Sequence, residues 1–476
     1  MLTVWRRGRR QTGVIVAMLA MLLGSPRQSD AQSIGQPQSR FLGSVPTGDA
    51  TGTTLMLSLK DAVDRALKYN LGLLDSDQDV RAARAVRLRG LNALLPDVWG
   101  QVSGSREQLN LATSGFNVNI PGISISPIVG PFGVADARVY LSQSIFNWSD
   151  IKHWKSTAES ERASQHSNRS DREIVVLAAG NSYLTVISDH ATVESTRAQV
   201  TTAQTLYERA VDQNKAGVIA GIDMLRARVE LQTQQQRLIA AENQLAIDKL
   251  ALARVIGLPK GQQFQITDSV PYAPLDGITL DEALERAVAT RPDYLSAKAK
   301  VRAAELARQS AAAGNYPSLF ADADYGDIGT PNFGTSHGTF SVAVTLNVPI
   351  FQGTRVRADT LEADATLQQR KAELADLDGQ IDEQVRTAFL NLRSSSDLVT
   401  VAQSNIELAN QTLVQAQDRF AAGVANNLDV VQAQESVASA NQSYIASLYS
   451  FNLAKISLAQ AIGIAEQSAL QYLGAK

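Results

Sequence analysis

The sequence predicts an α+β chain with an internal duplication. The repeated unit consists of two strands and a very long helical hairpin. Three observations support this fold class. Short motifs recur at a nearly constant offset, which is typical of internal duplication. Two stretches of about 65 residues contain almost no Gly or Pro, as long helices require. Another stretch alternates apolar and polar residues over the length of a membrane-spanning strand.

The duplication is visible in matched motifs. Residues 58–70 (SLKDAVDRALKYN) resemble residues 279–291 (TLDEALERAVATR), and Pro96 also has its counterpart 221 positions later. Ile145 has its counterpart only 205 positions later, so the first unit contains 16 additional residues between Pro96 and Ile145. Loops tolerate such insertions. The division that we predict is a first repeat (57–257), a linker (258–277) and a second repeat (278–464), with an N-terminal extension (32–56) and a C-terminal tail (465–476).

The N-terminus has the pattern of a secretory signal peptide, which we place at residues 1–31. Four Arg precede an apolar run at 13–24, and small residues follow for cleavage. The alternative is a membrane anchor, but the run is shorter than the ~20 residues that a span needs. The chain contains no Cys, so a lipid-bearing N-terminal Cys is not expected. Its net charge of −3 becomes more acidic without the Arg-rich segment, which argues against binding nucleic acid.

The two stretches 148–213 and 354–420 contain no Pro and one Gly each, Gly180 and Gly379, and predict helices on the order of 100 Å long. Apolar residues of the second stretch recur every seven positions, with one four-residue step that relaxes the supercoil. This pattern alone is also compatible with a solvated coiled-coil rod. The heptad residues are Leu367, Leu374, Ile381, Val385, Leu392, Val399, Ile406 and Leu413.

Each long helix is followed by Ala-Gly-Val and, six residues after the Gly, by Asp. Gly allows a helix to end in the left-handed conformation, and Asp favours the start of the next helix. We therefore predict two hairpin tips, with Asp223 and Asp429 as the caps of the returning helices. The tip residues are Ala216, Gly217 and Val218 in the first hairpin and Ala422, Gly423 and Val424 in the second.

Residues 339–351 (TFSVAVTLNVPIF) show the strictest strand pattern, and 97–107, 138–146 and 318–325 show weaker versions. A soluble sheet packed on helices is an open alternative. Four strands are too few for a membrane barrel, because eight is about the smallest and backbone groups in a bilayer must be paired. Either the strands are soluble or several chains share one barrel, and three chains would supply twelve strands. The residues predicted to face lipid are Phe340, Val342, Val344, Leu346, Val348 and Ile350; Ser341, Thr345 and Asn347 are predicted to face the lumen.

The duplicated unit, the Pro before each first strand, the Ile-Phe at each strand exit and the two Ala-Gly-Val tips together resemble the TolC-like family of outer membrane factors. The resemblance covers about residues 57–464. It implies a trimer with a twelve-stranded outer membrane β-barrel, four strands per chain, that continues into a long periplasmic α-helical coiled-coil barrel. The expected function is the exit duct of a tripartite efflux pump or type I secretion system. The expected loops outside the cell are 111–135 and 327–338.

The resemblance also implies partners and sites. The six tip residues would dock with a periplasmic adaptor protein, and through it with an inner-membrane transporter. Asp429 would form a periplasmic gate with Gln432, at which the family often has a second acid. The first tip has Gln213 and Asn214 where the second has Arg419 and Phe420, so the two tips are not expected to be equivalent to an adaptor.

Two other functions are weighed against the duct. The four His lack metal-ligand spacing and the motifs of hydrolases and phosphate-binding loops are absent from the sequence, so we predict no catalytic residue, no metal and no cofactor. A periplasmic coiled-coil adaptor or scaffold is the second alternative, although it needs only one helical hairpin and no bilayer-length strand. The cargo is left open among drugs, metals, other small molecules and proteins.

Overall fold

The computed structural model of the 476-residue chain describes residues 37–114, 126, 128–269, 272–274, 278–331, 334–422, 424 and 427–473. The predicted signal peptide, residues 32–36 and Gly423 of the second tip lie outside these ranges. The chain divides into two units, and the described part of the first, which ends at Arg40, is the beginning of a 3-10 helix, Pro37–Leu42. The elements below belong to the second unit, Phe41–Lys476.

Helices make up most of the second unit. In chain order they are α1 (Leu59–Tyr69), α2 (Leu71–Asn92), α3 (Trp148–Lys215), α4 (Gly221–Val255), α5 (Leu280–Thr290), α6 (Pro292–Ala312), α7 (Arg355–Ala421), α8 (Asn427–Ile462) and α9 (Ala465–Tyr472). Two short 3-10 helices, Leu111–Ser114 and Ala313–Asn315, accompany them.

The strands form two sheets. A short parallel pair joins β1 (Leu55–Leu57) to β4 (Phe264–Ile266). The main sheet contains β2 (Asp97–Asn110), β3 (Ile128–Phe146), β5 (Ser318–Gly329) and β6 (His337–Asn347), in the order β2-β3-β5-β6 with every neighbour antiparallel. The central pair, β3 and β5, joins a strand of the first repeated segment to a strand of the second.

The first helices of the two repeated segments, α1 and α5, begin with the same local chemistry. Ser58 accepts a hydrogen bond from the backbone N–H of Asp61, whose side chain accepts one from the N–H of Ser58. Thr279 and Glu282 make the same reciprocal pair at the start of α5. These capping boxes satisfy N–H groups that a helix terminus otherwise leaves without partners.

The long helices α3 and α7 contain 68 and 67 residues. At 1.5 Å per residue each is roughly 100 Å long. The predicted heptad stripe of α7 is confirmed, because each of its members is buried or partly buried. Leu367, Ile381, Val385 and Val399 are buried, and Leu374, Leu392, Ile406 and Leu413 are partly buried.

The larger hydrophobic core joins α1, α3, the end of α4 and the end of α8. Tyr183 of α3 is fully buried there, and its hydroxyl lies 2.9 Å from the Leu57 carbonyl and 3.0 Å from an Asp268 carboxylate oxygen. The same Asp268 oxygen accepts a 2.6 Å hydrogen bond from the N–H of Leu59. This network fixes the start of α1 to the middle of α3. A smaller core joins α5, α7 and α8.

Five of the eight strand boundaries differ from the sequence prediction, one of them being the end of β2 at Asn110 instead of residue 107. β3 begins at Ile128 instead of residue 138, so residues 128–135 of the predicted loop 111–135 belong to the strand. β5 continues to Gly329 and β6 begins at His337, so both ends of the second predicted loop, 327–338, belong to strands. The predicted strand 339–351 ends at Asn347, because Pro349 has no N–H for the ladder.

Candidate functional sites

One face of the four-stranded sheet is mainly apolar, with Arg106, Gln143 and Asp327 as its polar members. Val344 and Val342 of β6 pair with Ala321 and Ala323 of β5, and the apolar side continues to β2. Val342 is 71% exposed in the single chain, and an apolar surface of this extent marks a contact with membrane or with another protein. The members are Val98, Val102, Val139, Leu141, Leu319, Ala321, Ala323, Tyr325, Phe340, Val342, Val344 and Leu346.

Two residues predicted to belong to this face do not. Val348 and Ile350 follow the end of β6 at Asn347, so they have no cross-strand partner in the sheet, and Ile350 is 97% exposed. The prediction extended the alternation through Pro349, which ends the ladder. Phe351 likewise lies between β6 and α7, whereas Phe146 is the last residue of β3 and stacks on Trp148 with ring centroids 6.3 Å apart.

The opposite face of the sheet is polar. Arg138 of β3 donates to Asp136 at 2.8 Å and to Asp324 of β5 at 3.0 Å, and Ser142 donates to Asp322 at 2.8 Å. The predicted lumenal residues Ser341, Thr345 and Asn347 lie on this face, opposite Asp324, Phe320 and Ser318. The acids of the face are Asp97, Glu107, Asp136, Asp322 and Asp324, and its Arg is Arg138.

The strands are long enough to cross a bilayer. β6, the shortest, has 11 residues, while β2, β3 and β5 have 14, 19 and 12. A membrane strand needs about 9–11 residues when it is tilted by about 45°. The sheet is nevertheless open, because β2 and β6 each have one neighbour and form its two edges.

The two hairpin tips have the same backbone hydrogen bonds 206 positions apart. The N–H of Val218 donates to the Gln213 carbonyl at 2.9 Å, and the N–H of Val424 donates to the Arg419 carbonyl at 3.0 Å. This bond closes a Schellman motif, and Gly217 has the positive φ of 74° that the motif needs. The terminal residues Ala216 and Ala422 are the C-caps, and Val218 and Val424 are 71% and 67% exposed.

Asp223, which was predicted to cap the returning helix α4, is not the N-cap residue of that helix. The N-cap of α4 is Ala220, which makes no side-chain capping bond, and Asp223 is the third residue of the helix. Asp429 is likewise the third residue of α8, which begins at Asn427. A carboxylate in the first turn is favoured by the positive end of the helix dipole instead. Gln432, the second predicted gate residue, lies three positions farther along α8 and is exposed.

The four long helices pack in a row. The main contacts are α4 on α3, α3 on α8 and α8 on α7, so that α4 and α7 are the end helices of this row. α4 also makes a smaller contact with α8, and α6 packs on both α3 and α7. Both end helices have apolar side chains exposed to solvent in the single chain. On α4 these are Ile222, Leu225, Val229, Ile239, Ile247 and Leu250; on α7 they are Leu361, Leu390, Leu398, Val401, Leu408 and Val414.

Three titratable groups of the helical part have pKa values near neutrality. Burial raises the pKa of Glu173 to about 7, although its carboxylate accepts a 3.2 Å hydrogen bond from the N–H of Glu466 at the start of α9. Burial, together with the carboxyl of Asp248, raises the pKa of Asp189 to about 7. Burial lowers the pKa of Lys455 to about 8. The helical part is therefore expected to respond to pH.

The described residues contain no group of three or more His, Cys, Asp or Glu side chains that could hold a metal ion. No helix within the described ranges combines the length and the apolar composition that a transmembrane helix needs.

Comparison with known proteins identifies the family. Residues 62–258 and 283–464 match the model of the outer membrane efflux protein family. The chain belongs to this family. It is therefore an outer membrane channel that serves efflux or secretion, with a large periplasmic portion, and the family is not a class of enzymes. The residues alone left two alternatives, an exit duct and a periplasmic adaptor. Membership of this family favours the exit duct.

Individual relatives agree. The chain is 25% identical over 432 residues to the pyoverdine export outer membrane protein OpmQ of Pseudomonas aeruginosa, covering 88% of this chain and 87% of OpmQ. It is 24% identical over 426 residues to the toluene efflux pump outer membrane protein TtgC of Pseudomonas putida, covering 85% and 83%. The crystal structure of the Campylobacter jejuni CmeC outer membrane channel has the same fold, with a TM-score of 0.73 at 17% identity over 90% of this chain and 92% of that one.

Proposed function

We propose that three copies of this efflux protein form one continuous exit duct, with a twelve-stranded β-barrel in the outer membrane and a helical barrel in the periplasm. Each repeat, 57–257 and 278–464, contributes two strands and one hairpin per chain. The observation that favours this assembly is that both the sheet and the row of long helices have unclosed edges in the single chain. The edges of the sheet are β2 and β6, and those of the helix row are α4 and α7.

The sheet argues for closure by other chains. Its apolar face suits lipid, but a bilayer does not tolerate the unpaired backbone groups at the outer edges of β2 and β6. Because β2 leads away from the helices and β6 leads back to them, β6 of one chain can pair antiparallel with β2 of the next. Two chains would supply eight strands, the number in the smallest membrane barrels, and three supply the twelve of the proposed barrel.

The helices argue for the same neighbours. The exposed apolar side chains of α4 and α7 lie at the two ends of the helix row, where a neighbouring chain would cover them. Apolar residues that recur along long helices form coiled-coil seams with a partner helix. In the proposed assembly, α4 of one chain packs against α7 of the next, which closes the helical barrel at the same three junctions as the sheet.

The tips are proposed to dock with a periplasmic adaptor, which links the duct to an inner-membrane transporter. Exposed Val218 and Val424 provide apolar contacts at the far ends of the hairpins. The other proposed docking residues are Ala216, Gly217, Ala422 and Gly423. Crosslinkers at Ala216 and Ala422 are expected to capture a periplasmic protein. Capture of outer membrane chains alone would contradict docking.

The periplasmic gate is proposed at Asp429 and Gln432. Threefold symmetry would bring three Asp429 carboxylates around one axis, where they repel each other and attract cations to the pore mouth. Asp223, at the same helical position in the first hairpin, is the natural comparison. One acid per chain makes this ring weaker than a ring of two acids.

The mass of the detergent-solubilised full-length protein tests the assembly. Native mass spectrometry is expected to show a particle of three chains that conducts ions after insertion into a planar bilayer. A monomer of about 51 kDa that forms no conducting particle would overturn the proposal.

A further inference from the structure

The polar face of the sheet contains aromatic rings next to acids at the end closest to the long helices. Cross-strand register places Trp99, Tyr140, Asp324 and Ser341 in one row, which we call the aromatic row. The next row towards the helices, which we call the acidic row, contains Asp97, Ser142, Asp322 and Ala343. Rows are about 7 Å apart along the strands, and neighbouring strands about 4.8 Å apart.

The two rings of the aromatic row stack on each other. The centroids of Trp99 and Tyr140 are 5.3 Å apart, with an interplanar angle of 13°. Trp and Tyr in membrane barrels usually belong to the girdles at the lipid interface, on the lipid-facing side. Here both rings lie on the face opposite Val98 and Val139, so lipid anchoring does not explain them.

The acids of the neighbouring row have no ion pair among the described residues. Arg138 forms ion pairs with both Asp136 and Asp324. Asp322 accepts one hydrogen bond, from the neutral hydroxyl of Ser142, and Asp97 begins β2 on the same side as Trp99. Phe320, one row closer to the helices, places a further ring beside Asp322. Asp322 thus lies between the aromatic row and Phe320, and Asp97 lies beside Trp99 at the start of β2.

We propose that the aromatic and acidic rows form a contact site for organic cations that bear an aromatic ring. The ring of such a cation stacks on the faces of Trp99 and Tyr140, while its charge lies near Asp322 and Asp97. The spacing between the rows matches a charge attached directly to a ring system. This site rests on the proposed function, because the polar face lines a lumen only when three chains close the barrel. The duct would then contain three copies of the site.

Block of the full-length channel in planar bilayers tests the site. The probes are ethidium, an aromatic cation; tetraethylammonium, a cation without a ring; and naphthalenesulfonate, an aromatic anion. We expect ethidium to block the wild type at the lowest concentration. Trp99→Leu should weaken ethidium block by about 2- to 30-fold, the range of cation–π interactions, and leave tetraethylammonium block unchanged. Asp322→Asn, which can still accept from Ser142, should weaken block by both cations.

The matched control is Glu107→Gln, which removes an acid from the same face at the far end of β2. Glu107 lies about 34 Å along the strand from Asp97, which is farther than the distance over which salt screens an electrostatic interaction. This variant should keep wild-type block. Unchanged ethidium block in Trp99→Leu and Asp322→Asn channels of normal conductance would overturn the site and leave the duct intact. The same conclusion would follow if Glu107→Gln weakened ethidium block as much as Trp99→Leu and Asp322→Asn do. If Trp99→Leu does not assemble, Asp322→Asn decides alone. A wild type that forms no channel overturns the duct and the site together.

Discussion

Val342→Arg is expected to destabilise the assembled protein strongly. Val342 is the sixth of the eleven residues of β6, and eleven residues at about 3.4 Å, tilted by about 45°, span ~26 Å of membrane height. In the proposed barrel, Val342 would therefore lie close to the membrane midplane, on the apolar face. Arg at that depth costs about 2–4 kcal/mol per chain, and about 6–12 kcal/mol for a trimer if the three sites add.

Two neighbouring substitutions provide the controls. Leu346→Arg, on the same face but about 10 Å from the midplane, should cost about 0–1 kcal/mol per chain. Ser341→Arg, on the polar face opposite Asp324, should be tolerated. The assay is chemical unfolding of the protein refolded into lipid vesicles, supported by the heat resistance of its oligomer on gels. Equal stability of Val342→Arg and Ser341→Arg would refute the assignment of the lipid-facing side.

Three further outcomes are expected. Protease added to intact cells should cut within 111–127 and not at Gly217, whereas cleavage at the Gly alone would mean that the helical tips lie outside. Asp429→Ala should raise single-channel conductance and reduce block by multivalent cations, while Asp223→Ala, its counterpart on α4, should change neither; unaltered behaviour of both in an intact oligomer would place the constriction elsewhere. Because burial raises the pKa of Glu173 to about 7, the folded state holds a proton that the unfolded state has lost, so stability should fall as pH rises from about 4.5 to 7. Glu173→Gln should therefore unfold at higher denaturant concentration than wild type above pH 7, with the difference narrowing towards pH 4.5; a difference independent of pH would contradict this origin.

The helices were predictable from the sequence because their signals are local. The absence of Pro and the scarcity of Gly set the predicted length of α3 and α7, and Gly217 ended the first hairpin arm, so predicted and observed bounds differ by at most two residues. The strands were less predictable. Residues 128–137 (IVGPFGVADA) contain Gly and Pro and do not alternate, yet they continue β3 because β2 and β5 pair with them.

The site residues were likewise predictable where their signal lies within one strand, and were missed where it depends on several elements. The alternation in the sequence placed Phe340, Val342, Val344 and Leu346 on one face, and the cross-strand register of the structure extended that face to four strands. The cap of α4 was misplaced because spacing from the Gly does not reveal how many residues the turn uses, and Asp223 lies in the third position of its helix. The aromatic row was missed because it joins residues of strands far apart in the chain, which single-strand patterns cannot align.

Closure of the barrel between chains is the central claim, and engineered disulfides test it most directly. The chain has no Cys, so each pair introduced is the only pair. Gln101→Cys on the polar face of β2 is combined in turn with a Cys on the same face of β6, at Thr339, Ser341, Ala343 or Thr345. Ser142→Cys with Asp322→Cys, across neighbouring strands of one chain, is the control that should close within the monomer. The account predicts that at least one β2–β6 pair forms a covalent trimer on non-reducing gels; monomers alone from every such pair, with the control disulfide formed, would contradict it.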